Sequence, residues 1–483
     1  MSHFHRDRSP TSARVSRRRL LSVLLVAQLM VILDVSAVNV ALPDLARGLG
    51  IGGGEIGWAI TSYSLVFGSL LLLGGRAADL LGRRRLFFAG LAVFTLASLA
   101  SAAAVDATAL FVARAGQGLG AAMLSPAALS IITTAFQGRE RAGALGAWGA
   151  IGGAGGAVGV LLGGLLTQMV DWRAIFYINL PVAVALAVVG RNVVPADASE
   201  PRWRGLDLRG AAVATASLAA LVYALSQAAT AGWTSVRTLA FGLAGLAGLA
   251  AFAALEGRAA QPLLRIQRLA DRAVGGGFAL MLVASGVLFG TFLLSSLYLQ
   301  NVLGTGPLST GLAFLPLAAT AGAGAHLGAR LVGRFGVRLP MAGAFAFAAV
   351  GMLLLAGVDR HGNYFADVLP GLVIAGLGLG TVLASVGLSV LGGARDEESG
   401  MLSGLNTTGH EIGGTLGIAV LVTIVTAISG STIGPASADG IAAAFLAAGA
   451  IAAGGSLLAL LALPSARSFL PRLRLAPSPL PIH

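Results

Sequence analysis

The 483-residue chain predicts an all-α integral membrane protein with fourteen transmembrane helices, and three observations carry that expectation. Hydrophobic residues make up 56% of it against 11% charged, and the mean hydropathy of +0.85 lies outside the range of water-soluble globular proteins. Fourteen apolar runs follow one another, each about as long as the ~20 residues that cross a bilayer. The basic residues, all 32 of them arginine, collect in alternate connectors.

The first run, 20–43, begins within the basic stretch SRRRLLSVLLVAQLM and is read as a retained span rather than a cleaved signal, because further apolar runs follow it. Runs 58–76 and 86–105 are separated by four arginines, and runs 109–131 and 142–168 by Arg139 and Arg141. Four more arginines at 191–209 divide 174–194 from 209–229, and another four at 258–272 divide 236–256 from 273–299. Three at 330–338 part 310–332 from 339–358, and Arg395 parts 366–391 from 400–428 before the last run, 440–463. With the N-terminal arm and the tail, 27 arginines fall on one side; four (Arg47, Arg173, Arg237 and Arg360) fall on the other, and Arg114 lies inside a run. This asymmetry predicts cytoplasmic termini and an even number of spans.

A net charge of +12 could suggest nucleic acid, but the arginines are scattered over short loops, and the lipid bilayer explains them better. Cysteine is absent, which excludes disulfides and thiolate metal sites. HEIGG lacks the second histidine of a zinc motif, and no GxxxxGK[ST] loop occurs, so neither a metal nor a cofactor is expected and the energy must come from an ion gradient or from the substrate's own.

A weak internal repeat is present. GGRAADLLGRRRL follows the second run and GRFGVRL, 333–339, follows the tenth, with Gly82 and Arg84 matching Gly336 and Arg338. The offset predicts an N-terminal arm (1–19), a six-helix half (20–194), a linker with two extra helices (195–272), a second six-helix half (273–463) and a tail (464–483). Parallel halves of this kind bind substrate between them near the bilayer midplane.

Two carboxylates stand deep inside apolar runs, Asp34 and Glu411. Each costs at least ~2.5–3.5 kcal/mol at the bilayer centre, so each is a candidate for function. Asp34 precedes Pro43 by nine residues and Arg114 follows Asp106 by eight, depths of about 13 and 12 Å that let the two pair. His410 beside Glu411 could share a proton, or serve only as a packing residue. Asp34, Arg114, Glu411 and His410 are therefore the proton-coupling candidates.

Several motifs then resemble one family. The loop Gly75-Arg76-Ala77-Ala78-Asp79-Leu80-Leu81-Gly82-Arg83-Arg84 follows the pattern GxLaDRxGRR with Leu80 in place of an arginine. Arg114, Gln117, Gly118, Gly120, Ala121 and Ala122 follow RxxqGxGaa, and LDVSAVNVALP follows LDxTvvNvALP. With WRAIFYINLP and YLQNVLG, these make the chain similar, over nearly its whole length, to the major facilitator superfamily in its fourteen-helix drug:proton antiporter branch. The resemblance implies the major facilitator fold and a cytoplasmic gate at Gly75, Asp79, Gly82, Arg83 and Arg84. Asp79 would meet the N-terminus of the thirteenth helix near Glu398, Ser399 and Gly400. Gly146, Gly155, Gly159, Gly163 and Gly164 keep the spacing of the family's antiporter motif, with Val160 where that motif has proline. Asn39, Gln117, Asn406 and Glu411 are candidates for the substrate cavity.

The expected function is proton-coupled export of amphipathic small molecules by a plasma-membrane protein working as a monomer. A symporter or uniporter for a nutrient is the alternative that Val160 keeps open. A membrane-embedded transferase fits poorly because the acids are dispersed, and a non-transporting sensor fits poorly because the gate loop is mostly intact.

Overall fold

The computed structural model describes residues 10–51, 57–197, 207–259, 262–429 and 437–474, and every regular element among them is helical. In chain order these are α1 (Pro10–Leu49), α2 (Trp58–Leu81), α3 (Arg83–Ala102), α4 (Ala107–Ala135), α5 (Gly138–Met169) and α6 (Ala174–Val193, with a break at Ile178). Then follow α7 (Leu208–Ala231), α8 (Val236–Glu256), α9 (Arg272–Leu297), α10 (Leu308–Phe335), α11 (Arg338–Leu355) and α12 (Tyr364–Leu391). The last are α13 (Ser399–Ser429), α14 (Ala438–Ala462) and a short tail helix, α15 (Ala466–Arg474). Thirteen described helices are long and apolar enough to cross a bilayer. The run read at 142–168 lies in α5, which contains the shorter apolar stretch Val158–Met169.

Local chemistry sets several helix ends. Asp106 accepts from the amide of Ala109 at 2.8 Å and starts α4, and Asp271 accepts from Ala273 at 2.9 Å and starts α9. Gly82 and Gly336, the residues matched in the sequence repeat, have φ of 108° and 72° and separate consecutive helices in the two repeats. The segment after α6 closes over the first turn, where Asp197 accepts from the amides of Arg84 and Arg85 at 2.9 and 3.1 Å. The start of α15 closes over the second, within 2.8 Å of where a Cβ on Gly336 would stand.

Helices α1–α6 pack on one another in the pattern that α9–α14 repeat: α4 on α2 and α3 as α12 on α10 and α11, and α1 on α5 and α6 as α9 on α13 and α14. The groups meet through α5 against α10 and α12, and through α13 against α2 and α4. The hairpin α7–α8 belongs to neither pattern; α7 lies on α2 and α13, across the seam between the groups. Small residues permit these crossings. A Cβ on Gly120 of α4 would lie 2.7 Å from the Cα of Phe94, and one on Gly378 of α12 would lie 2.6 Å from the amide of Ala348. Gly120→Leu should therefore lower the melting temperature of the detergent-solubilised protein by an amount matching ~1–3 kcal/mol of overpacking. Gly143→Leu, at a site with nothing within 4 Å of its Cβ, should leave it nearly unchanged.

Candidate functional site

Asp34 sits halfway along α1 and is 2% exposed, so its carboxylate must find all its partners in protein. It finds three. Arg114 of α4 donates to Oδ2, the side-chain amide of Gln117 donates to Oδ1 at 2.8 Å, and that of Asn179 in α6 donates to Oδ1 at 3.0 Å. The expected Asp34 and Arg114 pairing is thus present, at matching depth.

The donors are themselves held. Arg114 also donates to the carbonyl of Ala59 at 3.0 Å and to Oε1 of Gln117 at 2.8 Å, and its guanidinium lies 4.6 Å from the centre of the Tyr63 ring. Ser98 of α3 accepts from Gln117 at 2.8 Å and from Asn179 at 3.2 Å, and Ser101 donates to Gln117 at 3.1 Å. Beyond the network, Val38, Leu45, Ala59, Trp172 and Phe176 form an apolar cluster on the far side. Gln117, expected in a substrate cavity, is instead fully buried in this network, because its amide is needed on both sides. Sequence reading missed Asn179 and Ser98; the signal was present in an asparagine standing one residue before LP in an apolar run, INLP.

On the opposite face of α1, the glycines of α5 make room. Cβ atoms at Gly155, Gly159 and Gly163 would lie 2.9 Å from Ile32, 2.6 Å from Ser36 and 2.6 Å from Ala37, while Gly146 faces Ala325 and Ala329 of α10 and Gly164 is buried. The motif is therefore a packing surface that brings α1 against α5. The helix runs unbroken through Val160.

The second membrane acid is placed differently. Glu411 of α13 is only partly buried, and its carboxylate has no hydrogen-bond or ion-pair partner among the described residues. His410 does not share a proton with it in this conformation. Its Nδ1 is 2.6 Å from the hydroxyl of Ser285 and its ring meets Phe289 edge-on at 5.3 Å, so it turns toward α9. One residue along a helix is about 100° of rotation, which separates the two side chains. Asn406 is buried with an unmatched Oδ1, and Asn39 is exposed, donating to the carbonyl of Val35 at 3.2 Å.

The face carrying the 82–85 turn is closed. Asp79 accepts from the amides of Gly400 and Met401 at 2.9 and 3.0 Å, so a carboxylate of α2 caps α13 across the seam, and Arg83 lies 3.2 Å from it. Gly75 opposes Gly400 at the same crossing. Two other residues assigned to the gate are not part of it. Arg84 donates to the carbonyls of Val194 and Arg191 at 2.6 and 2.7 Å, and the Gly82 turn is covered by Asp197; both anchor the α2–α3 turn to the end of α6. Glu398 does not contact Asp79 but binds Arg265, at 2.9 Å, and Arg268 in the connector after α8. Its carboxylate raises the pKa of the Arg268 guanidinium above its ordinary value.

This arrangement of two related helix groups, a buried acid–arginine network and a capped seam decides the family together with the sequence, which matches the Major Facilitator Superfamily over residues 24–418. The chain belongs to the major facilitator superfamily. It is 41% identical to the puromycin resistance protein of Streptomyces alboniger over 84% of this chain and 81% of that protein. It is 34% identical to the multidrug resistance protein Stp of Mycobacterium tuberculosis over 84% of this chain and 75% of that one. It is also 34% identical to the cephamycin export protein CmcT of Amycolatopsis lactamdurans, over 82% and 83%. The human organic anion transporter MFSD10 shares the fold, with a TM-score of 0.65 at 17% identity over 92% of this chain and 99% of that chain. Members of the superfamily are transporters rather than enzymes, and this one is a multi-pass membrane protein.

Two outcomes follow from the geometry. Arg114→Ala should cost about 3–5 kcal/mol in detergent unfolding, because it leaves Asp34 charged and uncompensated, whereas Asp34→Asn combined with Arg114→Ala should cost less. At the seam, the cysteine-free chain allows Ser403→Cys, fully buried on α13, to report opening by its rate of thiol labelling. Asp79→Ala, which removes both hydrogen bonds of the cap, should raise that rate by about five- to 150-fold if those two bonds of ~0.5–1.5 kcal/mol each hold the face shut.

Proposed function

We propose that this major facilitator protein exports amphipathic small molecules, antibiotics among them, across the plasma membrane in exchange for protons, with both termini in the cytoplasm. The names of its relatives, puromycin resistance and cephamycin export, support the direction and the substrate class. The closed face, with its connector arginines, is then the cytoplasmic gate. The two six-helix groups, 20–194 and 273–463, are the halves that rock, with α7 and α8 as an insertion that completes fourteen spans. The working unit is the monomer, and protons rather than a cofactor supply the energy.

The contrast between the two membrane acids carries the coupling. Asp34 is enclosed by three donors, and Glu411 has none for its carboxylate. A half-buried carboxylate in a low-dielectric interior is neutralised either by a proton or by a cationic substrate, and the two occupants displace each other. That competition is antiport. Asp34 is the second station, open to a proton only when Arg114 moves away. Exchange of one proton for one monovalent cation moves no net charge. Two protons per cation would add about 2.3 kcal/mol per 100 mV of potential, against about 1.4 kcal/mol for each tenfold concentration ratio.

The symport reading rests on Val160 alone, and direction separates the two. In inverted vesicles an acid lumen should drive puromycin or a cationic dye inward; accumulation only under the opposite gradient would establish symport instead. Asp34→Asn should abolish gradient-driven uptake, and Glu411→Gln should suppress uptake of cationic substrates while sparing neutral ones. Uptake in Asp34→Asn equal to wild type would remove Asp34 from the mechanism.

A further inference from the structure

Beside the Arg114–Asp34 pair stands a tyrosine that no motif singles out. Tyr63 lies on α2, 1% exposed, with its ring against the Arg114 guanidinium on one side and tilted against Phe67 at 5.5 Å on the other. Its hydroxyl is buried and has no hydrogen-bond partner. Buried tyrosine hydroxyls ordinarily find a partner, and an unmatched one costs about 1–3 kcal/mol that a phenylalanine would avoid.

The register of the seam shows where a partner lies. The two helices run antiparallel, with Gly75 opposing Gly400 and Leu71 opposing Gly404. At about 100° per residue Glu411 lies on the same side of α13 as Gly400 and Gly404, and the antiparallel register brings it to the level of Tyr63. Along α13, Ser403, Asn406 and Thr408 also bury unmatched polar atoms, so the seam holds more hydrogen-bonding capacity than this conformation uses. Of the charged and titratable groups around Tyr63, Asp34 is bound by Arg114, Gln117 and Asn179, and His410 is turned to Ser285. Glu411 is the one of these charged groups whose carboxylate accepts nothing from the described residues.

We propose that Tyr63 is a positioning residue that couples the two halves, donating its hydroxyl to the ionised Glu411 when the seam rearranges while its ring keeps hold of Arg114. The inference rests on the proton-coupled reading of the same acids. No bond is made or broken at the tyrosine, and its proton stays on the phenol. When Glu411 takes a proton its oxygens lose their charge, the tyrosine is released, and the ring shifts under Arg114. The state of an acid in one half thereby reaches the Arg114–Asp34 pair in the other.

Tyr63→Phe keeps the ring and removes only the hydroxyl. It should fold with an unchanged or higher melting temperature and retain dye binding. The half-maximal pH of gradient-driven uptake should move upward by about half a unit to one unit, because ionised Glu411 has lost a donor. In a Glu411→Gln background, measured with a neutral substrate, Tyr63→Phe should produce no further shift. An unshifted profile in the single variant, or an equal shift in both backgrounds, would overturn the inference. Proximity has its own readout in the Tyr63→Cys/Glu411→Cys pair, which should be joined by a short bifunctional thiol reagent during turnover of a neutral substrate; failure to join while that substrate is transported would also overturn it. Wild-type uptake indifferent to the pH gradient would instead sink the coupling reading, and this inference with it.

Discussion

A single carboxylate placed inside a membrane helix organises one half of this protein. Asp34 can be buried only if hydrogen-bond donors surround it, and the donors come from α4 and α6, with α2 and α3 holding those donors in turn. Five helices are therefore fixed relative to one another by one charge. The opposite face of α1 is held as firmly by a different means, the absence of side chains at Gly155, Gly159 and Gly163. Between a polar network on one side and close backbone packing on the other, α1 has little freedom. A change in the charge of Asp34 is then a change in the whole half.

The two groups of helices also meet through polar contacts at the closed face. At the closed face, Asp79 meets backbone amides at the start of α13, and Arg141 of α5 reaches the carbonyl of Gly392 at 3.3 Å. These hydrogen bonds are buried, and they lie beside apolar packing that runs through both groups as one cluster. The inserted hairpin spans the same seam. Trp233 at one end donates to Thr423 of α13 at 2.8 Å, and the connector at the other end is tied to Glu398.

Hydropathy made the helices legible, because a bilayer leaves the backbone no partner but itself and so ties apolar length to helix. Depth was legible for the same reason: a fixed rise per residue placed Asp34 and Arg114 at one level before any fold was known. The cap of Asp79 on α13 came from resemblance rather than from spacing. Rotation about each helix axis was not legible. Gln117 faces a sealed network instead of a cavity, His410 turns from Glu411, and Arg84 turns from the gate, each by an angle that apolar sequence on all sides of a helix does not encode.

The sequence by itself determined the membrane, the helices, their order and the existence of two acids that cost too much to be incidental. Only the tertiary structure decided which acid is enclosed and which is open, because that depends on which neighbours bring donors to it. Asn179 reaches Asp34 from 145 positions away, and Tyr63 comes to stand beneath Arg114 through the packing of α2 on α4. Charge and depth are properties of a chain. Compensation of that charge belongs to helices already packed.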